Sequence, residues 1–215
     1  MPTLDQAVGG DSRRKSIGRW KMMVVMLVCA APVVASYFTF YVVRPESRRS
    51  FGELIDPQRP TPDQPAVALR GESINLRSLK GQWLLVSVAG GACNEACINT
   101  LYLQRQLREG LGREKDRMDW VWLVSDDVPV PTALQPGLAA ATVLRLPRER
   151  IAEWLAPAVG SDLTDHLYVV DPMGHWMLRF APRLSAIDAP KAKRDLERLL
   201  RASVSWDKAG REPAN

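Results

Sequence analysis

Histidine and cysteine are scarce in this chain of 215 residues: there are two of the first, His166 and His175, and three of the second, Cys29, Cys93 and Cys97. Any metal site must therefore be built from few residues. Clustered charge is also missing from the body of the chain. The net charge is +5, but the first 21 residues hold five basic side chains against two acidic ones, so only +2 remains for the rest. A nucleic-acid groove needs clustered Lys and Arg on the folded part, and that class is set aside. No internal repeat is present, and the 16 prolines and 14 glycines follow no period. With 46% hydrophobic and 25% charged residues, a disordered or collagen-like chain is excluded.

From Met22 to Val43 there is no charged side chain, and about 20 apolar residues suffice to cross a bilayer. Trp20 and Lys21 flank one end and Tyr37, Phe38, Phe40, Tyr41 and Arg44 the other, as interfacial aromatics and snorkelling cations do. A cleaved signal would place small residues such as Val33 and Ala35 before the cut, but signal cores usually run about 7–15 residues and this run continues beyond. Residues 22–43 are accordingly read as an uncleaved anchor. Val28, before Cys29, is not the small residue of a lipoprotein signal, so Cys29 is read as a buried helix residue. The basic flank, residues 1–21, predicts a cytoplasmic N-terminus and a main domain across the membrane. In a bacterium this is a single-pass inner-membrane protein with a periplasmic domain, and Cys93 and Cys97 meet an oxidising compartment.

Residues 44–66, with Pro45, Pro57, Pro60, Pro62 and Pro65, read as a semi-extended linker. Residues 67–204 read as the folded domain and 205–215 as a flexible tail. Within the domain, Val67–Leu76 alternates around Gly71 as a hairpin, and Trp83–Ala89 and Met118–Ser125 are apolar runs of strand length. Between these two runs, Leu103, Leu107 and Leu111 recur at helical spacing, so the helix is a crossover joining parallel strands. Pro147–Leu155 predicts a second helix. His166–Asp171 and His175–Phe180 predict an antiparallel hairpin, because proline second and glycine fourth in Asp171–Gly174 favour a type I turn. Ala189–Val204 predicts an amphipathic terminal helix. The order gives an α/β fold, and a central strand running into a cysteine-bearing helix is the arrangement of the thioredoxin superfamily.

Cys93 and Cys97 are four residues apart. On a helix they share one face a turn apart, near enough to hold one metal ion or to form a disulfide. A helix N-terminus favours thiolate. A purely structural disulfide closing so short a loop stabilises little. Thiolates suit Cu(I), which commonly takes a third donor such as imidazole.

The chain resembles the Sco (SenC) family, through the segment Leu76–Trp83 leading into a core strand, the C-x3-C of Cys93 and Cys97, the segment Trp122–Asp127, and Asp165 and His166 followed by the D-P-x-G of Asp171–Gly174. The likeness spans roughly Val67–Leu200 and the anchor. It implies a thioredoxin-like fold with a single N-terminal transmembrane helix, copper held by Cys93, Cys97 and His166 as Cu(I) or Cu(II), and delivery to the cytochrome c oxidase subunit that carries the CuA centre. Asp165 is then expected either to orient His166 or to cap a strand. The flanks depart from that family: its cysteines are bracketed by prolines, whereas Gly90, Gly91 and Ala92 precede Cys93 here and Ile98 follows Cys97.

Two other functions compete with copper delivery. One is a thiol-disulfide reductase that uses Cys93 and Cys97 as its redox pair, with a thioredoxin-like reductant upstream. Such reductases use C-x2-C and carry a cis-proline where this chain has Asp165 and His166. The other is a scaffold in oxidase assembly, acting through its surfaces.

Overall fold

Two apolar runs, Trp83–Ala89 and Met118–Val124, become neighbouring central strands in the computed structural model, which describes residues 9–39, 41 and 50–210. In chain order the elements are α1 (Gly9–Phe38), β1 (Glu53–Pro60), β2 (Pro65–Ala68), β3 (Ser73–Asn75), β4 (Trp83–Ala89), α2 (Glu95–Gly110), β5 (Met118–Val124), β6 (Thr142–Arg145), α3 (Arg148–Trp154), β7 (Leu167–Val170), β8 (His175–Arg179) and α4 (Ala189–Ser203). The chain divides into two compact units, residues 1–48 and 49–215.

In the first unit, Trp20–Phe38 is a 19-residue apolar helical stretch with mean hydropathy 1.9, long enough to be a membrane span or the core of a signal. Cys29 is exposed on it, not buried as the sequence suggested. Positions 40, 42 and 43 of the expected anchor, and 44–49 of the expected linker, lie outside the described residues.

The second unit is built on one eight-stranded sheet in the order β1-β8-β7-β4-β5-β6-β2-β3. As expected from the crossover, β4 and β5 run parallel, with Trp83 opposite Met118 and Ala89 opposite Val124. β7 lies antiparallel on the other side of β4. The β7–β8 hairpin turns at Asp171–Gly174, where the Gly174 amide donates to the Asp171 carbonyl at 2.9 Å and Gly174 takes φ of +87°. Alternation along the strands divides the core in two. Leu84, Val86, Tyr168 and Val170 face one layer, sealed by α3 through Ile151 and Trp154. Trp83, Leu85, Leu167 and Val169 face the other, under α2 and α4.

The linker expectation fails over much of its length. β1 pairs with β8, and β2 pairs with β6 and β3. Pro57 and Pro60 did not read as strand because proline cannot donate to a ladder, yet β1 is an edge strand with its register shifted between Leu54 and Arg59, where proline is tolerated. Just before β1, the buried carboxylate of Asp195 on α4 accepts from the amides of Phe51 and Gly52 at 2.5 and 2.9 Å. A side chain at Gly52 would meet Leu178, so the entry of the chain into the domain is pinned there.

Candidate functional site

β4 ends at Ala89, and the turn that follows delivers Cys93 to the start of α2. The Cys93 amide donates to the Gly90 carbonyl at 3.1 Å. Asn94 caps α2, its side-chain oxygen accepting from the Cys97 amide at 3.0 Å. Cys93 thus lies before the helix, in the left-handed region at φ of +44°, where a residue with a Cβ costs about 1–2 kcal/mol. Cys93 and Cys97 form a disulfide with their Cα atoms 5.1 Å apart. An open cavity of about 210 Å³ adjoins it, lined among others by Asn94, Leu101, Thr164 and Asp165.

The glycines before Cys93 have a steric reason. A Cβ on Gly90 would run into the Asp126 carboxylate and one on Gly91 into the Val128 carbonyl. Asp126 Oδ1 accepts from the amides of Gly91 (2.8 Å) and Val128 (3.1 Å), so one carboxylate ties the cysteine turn to the loop after β5. Arg145 on β6 fixes that loop from behind, donating to the carbonyls of Asp126 at 2.7 Å and Val128 at 3.1 Å. Asp126 and Arg145 were not singled out by sequence. The signal that points to Asp126 is the Gly90–Gly91 pair, which demands a close neighbour.

His166 and the cysteines lie on opposite faces of the sheet. Its ring packs near Tyr168, 5.9 Å between centroids, and Tyr168 belongs to the layer under α3. The cysteines belong to a third apolar cluster with Trp120, Trp122 and Val124, on the α2 side. His166 is 1% exposed, and both its ring nitrogens are engaged. Nε2 accepts from the Ala158 amide at 3.2 Å and lies 2.8 Å from Ser161 Oγ, so Nδ1 carries the proton it shares with the Phe180 carbonyl at 2.8 Å. Burial pushes the imidazole pKa below its ordinary value, against the pull of the Phe180 carbonyl.

Asp165, not His166, borders the disulfide cavity. Its carboxylate accepts from the Asp162 amide at 3.0 Å, closing a capping box on the 3-10 turn Leu163–Asp165, and from Arg183 Nε at 3.2 Å. The amide bond and then the guanidinium hold its pKa below the usual carboxylate value. The Asp165 carboxylate thus caps a 3-10 turn rather than a strand, and its hydrogen bonds run to Asp162 and Arg183. His175 is half-buried beside Asp171, with Nδ1 3.4 Å from Oδ2. Among the described residues, no three His, Cys, Asp or Glu side chains are gathered as a metal ion needs. The expected copper set of Cys93, Cys97 and His166 is therefore not assembled: the sulfurs are bonded to each other and the imidazole is turned to the other layer. The arrangement in place is suited to exchange of a disulfide facing a cavity.

This topology, with its disulfide at a strand-to-helix junction, defines a thioredoxin-like protein. Residues 83–203, more than half of the chain, match the family described as transmembrane-like, thioredoxin-like, C-terminal domain, and the chain belongs to that family. Among solved structures it is similar to the apo Sco protein of Thermus thermophilus, at 17% identity and a TM-score of 0.53 over 71% of this chain and 96% of that one. It is also similar to a Sco/SenC-family lipoprotein of Bacillus anthracis, at 17% identity and 0.51 over 67% and 98%. A protein described as a disulfide isomerase, from Bacteroides thetaiotaomicron, matches at 13% identity and 0.50 over 73% and 97%. These likenesses establish the fold. No curated protein matches the chain.

Proposed function

We propose that this chain is a membrane-anchored thiol-disulfide exchange protein, with residues 22–43 in a bacterial inner membrane, the N-terminus cytoplasmic and the thioredoxin-like unit periplasmic. The observation that carries the reading is the Cys93–Cys97 disulfide facing an open cavity at the start of a capped helix. In the reduced state a thiolate of the pair attacks a partner disulfide and forms a mixed disulfide as one partner thiolate leaves. The second cysteine then attacks the mixed bond, closing Cys93–Cys97 and releasing the other partner thiol. Two electrons and two protons pass to the partner, and a thioredoxin-like reductant resets the pair. Closing a five-residue loop is worth only about 2 kcal/mol in the chain-entropy picture, and the left-handed Cys93 offsets much of it, which supports a reactive role over a structural one.

The test is to equilibrate the full chain, in detergent, with thiol buffers of graded potential and read the oxidised fraction by alkylation. A reversible two-electron transition between about −120 and −270 mV is expected. A midpoint below about −300 mV would mark a structural crosslink and refute the reading.

Copper delivery to the CuA-bearing oxidase subunit is the second reading, supported by the two sulfurs sharing one face and one cavity. Reduced Cys93 and Cys97 supply two soft donors that fit Cu(I), while His166 would first have to leave its partners. Titration of the reduced chain with Cu(I) against a chelator separates the two. Competitive binding that weakens in His166→Ala supports the three-ligand site. Binding indifferent to His166, or none, leaves exchange chemistry.

A further inference from the structure

A second, mostly apolar hollow of about 150 Å³ lies along α2, lined chiefly by Ile98, Leu101, Tyr102, Trp120 and Leu138, with Arg105 its one charged lining residue. Ile98 directly follows Cys97, and Leu101, one turn further on, lines both this hollow and the disulfide cavity. The two spaces therefore share a wall. Ile98 and Tyr102 stand four residues apart on one helix face, 45% and 65% exposed. Single exposed apolar side chains are ordinary, whereas contiguous apolar surface marks contact sites, and here two such side chains adjoin a mostly apolar hollow. The opposite wall comes from the 3-10 turn Thr132–Leu138, which supplies Leu134 and Leu138. Its floor is Trp120, buried at 2% exposure.

We propose that this hollow seats an apolar side chain of the redox partner, close in sequence to the cysteine that exchanges with Cys93–Cys97. The proposal rests on the exchange reading above. Its occupant follows from continuity: a partner sulfur must enter the disulfide cavity to react, so the chain on one side of that cysteine passes the shared wall at Leu101. Along α2, Tyr102 lies about 7–8 Å beyond Cys97. An extended peptide covers that span in two or three residues. The hollow therefore selects partner segments with a leucine-sized or aromatic side chain two or three positions from the reactive cysteine.

The experiment uses the full chain in detergent, pre-reduced and freed of reductant. It is mixed with short peptides whose single cysteine is a mixed disulfide with 5-thio-2-nitrobenzoate. One set carries leucine two or three residues from the cysteine, on either side in turn, and a matched set carries serine. Attack on the peptide sulfur expels the coloured thiolate, and the second cysteine of the pair then releases the peptide thiol. The leucine peptide of the favoured side is expected to react about tenfold or more faster than its serine match, as burial of one apolar side chain allows. In Tyr102→Asp, and in Ile98→Ser as a second variant, the leucine-to-serine rate ratio should fall towards one. Both positions are exposed, and circular dichroism checks that each variant is folded.

Equal rates for leucine and serine peptides would overturn the hollow as a partner site while leaving exchange chemistry intact. A preference that survives in both variants would place the apolar contact elsewhere and overturn it too. So would a dimer in sedimentation that both variants dissociate, because a second copy would then fill the hollow. Failure of every peptide to release thiolate would overturn the exchange reading and this inference with it.

Discussion

His166 separates the two chemistries most sharply. Its ring is 1% exposed and holds the Phe180 carbonyl on one nitrogen and the Ala158 amide, with Ser161 alongside, on the other. His166→Ala strands the buried Phe180 carbonyl, at about 1–3 kcal/mol, leaves the part-buried Ala158 amide without its acceptor, and opens a void beside Tyr168, so the loss should reach about 2–4 kcal/mol. A pH signature goes with it. Burial lowers the folded-state pKa, so the unfolded chain takes up this proton first and binds more protons than the native one. The stabilisation from neutral His166 is thus fully present above the unfolded value of about 6.5. It is lost as pH falls from there through the folded value, at up to about 1.4 kcal/mol per pH unit. Urea unfolding of the full chain in detergent, followed by tryptophan emission from about pH 8 to about pH 5, keeps most carboxylates ionised, and the His166→Ala comparison picks out the contribution of this residue. The slope near pH 6 should vanish in His166→Ala. A variant as stable as wild type, with a flat pH profile in both, would show that the ring is free to act as a ligand and would refute the structural role.

Arg117 is the second buried polar centre: its guanidinium donates to Asp207 at 2.7 and 3.1 Å and to Ser203 at 2.9 Å, and Ser203 accepts from the Trp83 indole at 3.1 Å. Arg117→Ala leaves the buried Asp207 carboxylate without its ion pair, with only Ser203 Oγ donating to it at 3.3 Å, and should cost about 3–5 kcal/mol in urea unfolding. Gly91→Ala drives a Cβ into the Val128 carbonyl, so it should shift the disulfide midpoint, read in graded thiol buffers, and lower the melting temperature. An unchanged midpoint would detach the Asp126 tie from the redox pair. Cys93→Ser with Cys97→Ser should cost less than about 2 kcal/mol, the entropy of the short loop reduced by relief at Cys93. A loss above about 4 kcal/mol, the size found for native structural disulfides, would assign the bond to stability.

The apolar runs at 83–89 and 118–124 announced β4 and β5 because strands buried on both faces need no alternation to be recognised. The leucines at 103, 107 and 111 announced α2, and Asp171–Gly174 announced its hairpin because turn chemistry is local. What stayed hidden is settled by distant partners. β1 carries Pro57 and Pro60, and only its edge position beside β8 permits them. β6 has four residues, Thr142–Arg145, too few for a period to show. At the site the cysteine pair was legible from its spacing. The orientation of His166 was not, since alternation flips every side chain with a one-residue change of phase, and the register of β7 on β4 belongs to the sheet as a whole.

That phase is what weighs exchange against metal binding. Bringing His166 to the cysteine face by sliding β7 one residue would also exchange Leu167 and Val169 with Tyr168 and Val170 between layers already filled by their neighbours, an outcome close packing forbids. The alternative is local: His166 precedes β7, so only the segment around Leu163–His166 need turn. Turning it removes the Phe180 and Ala158 hydrogen bonds, the Asp165 capping box, and the Arg183 amide bond to the Asp165 carbonyl at 2.6 Å. The Phe180 bond is buried and costs about 1–3 kcal/mol when left unmade, the part-buried and exposed ones cost less, and a third copper ligand must return more than their sum. Disulfide exchange asks for none of this, because the cavity beside Cys93 and Cys97 is open with His166 where it is.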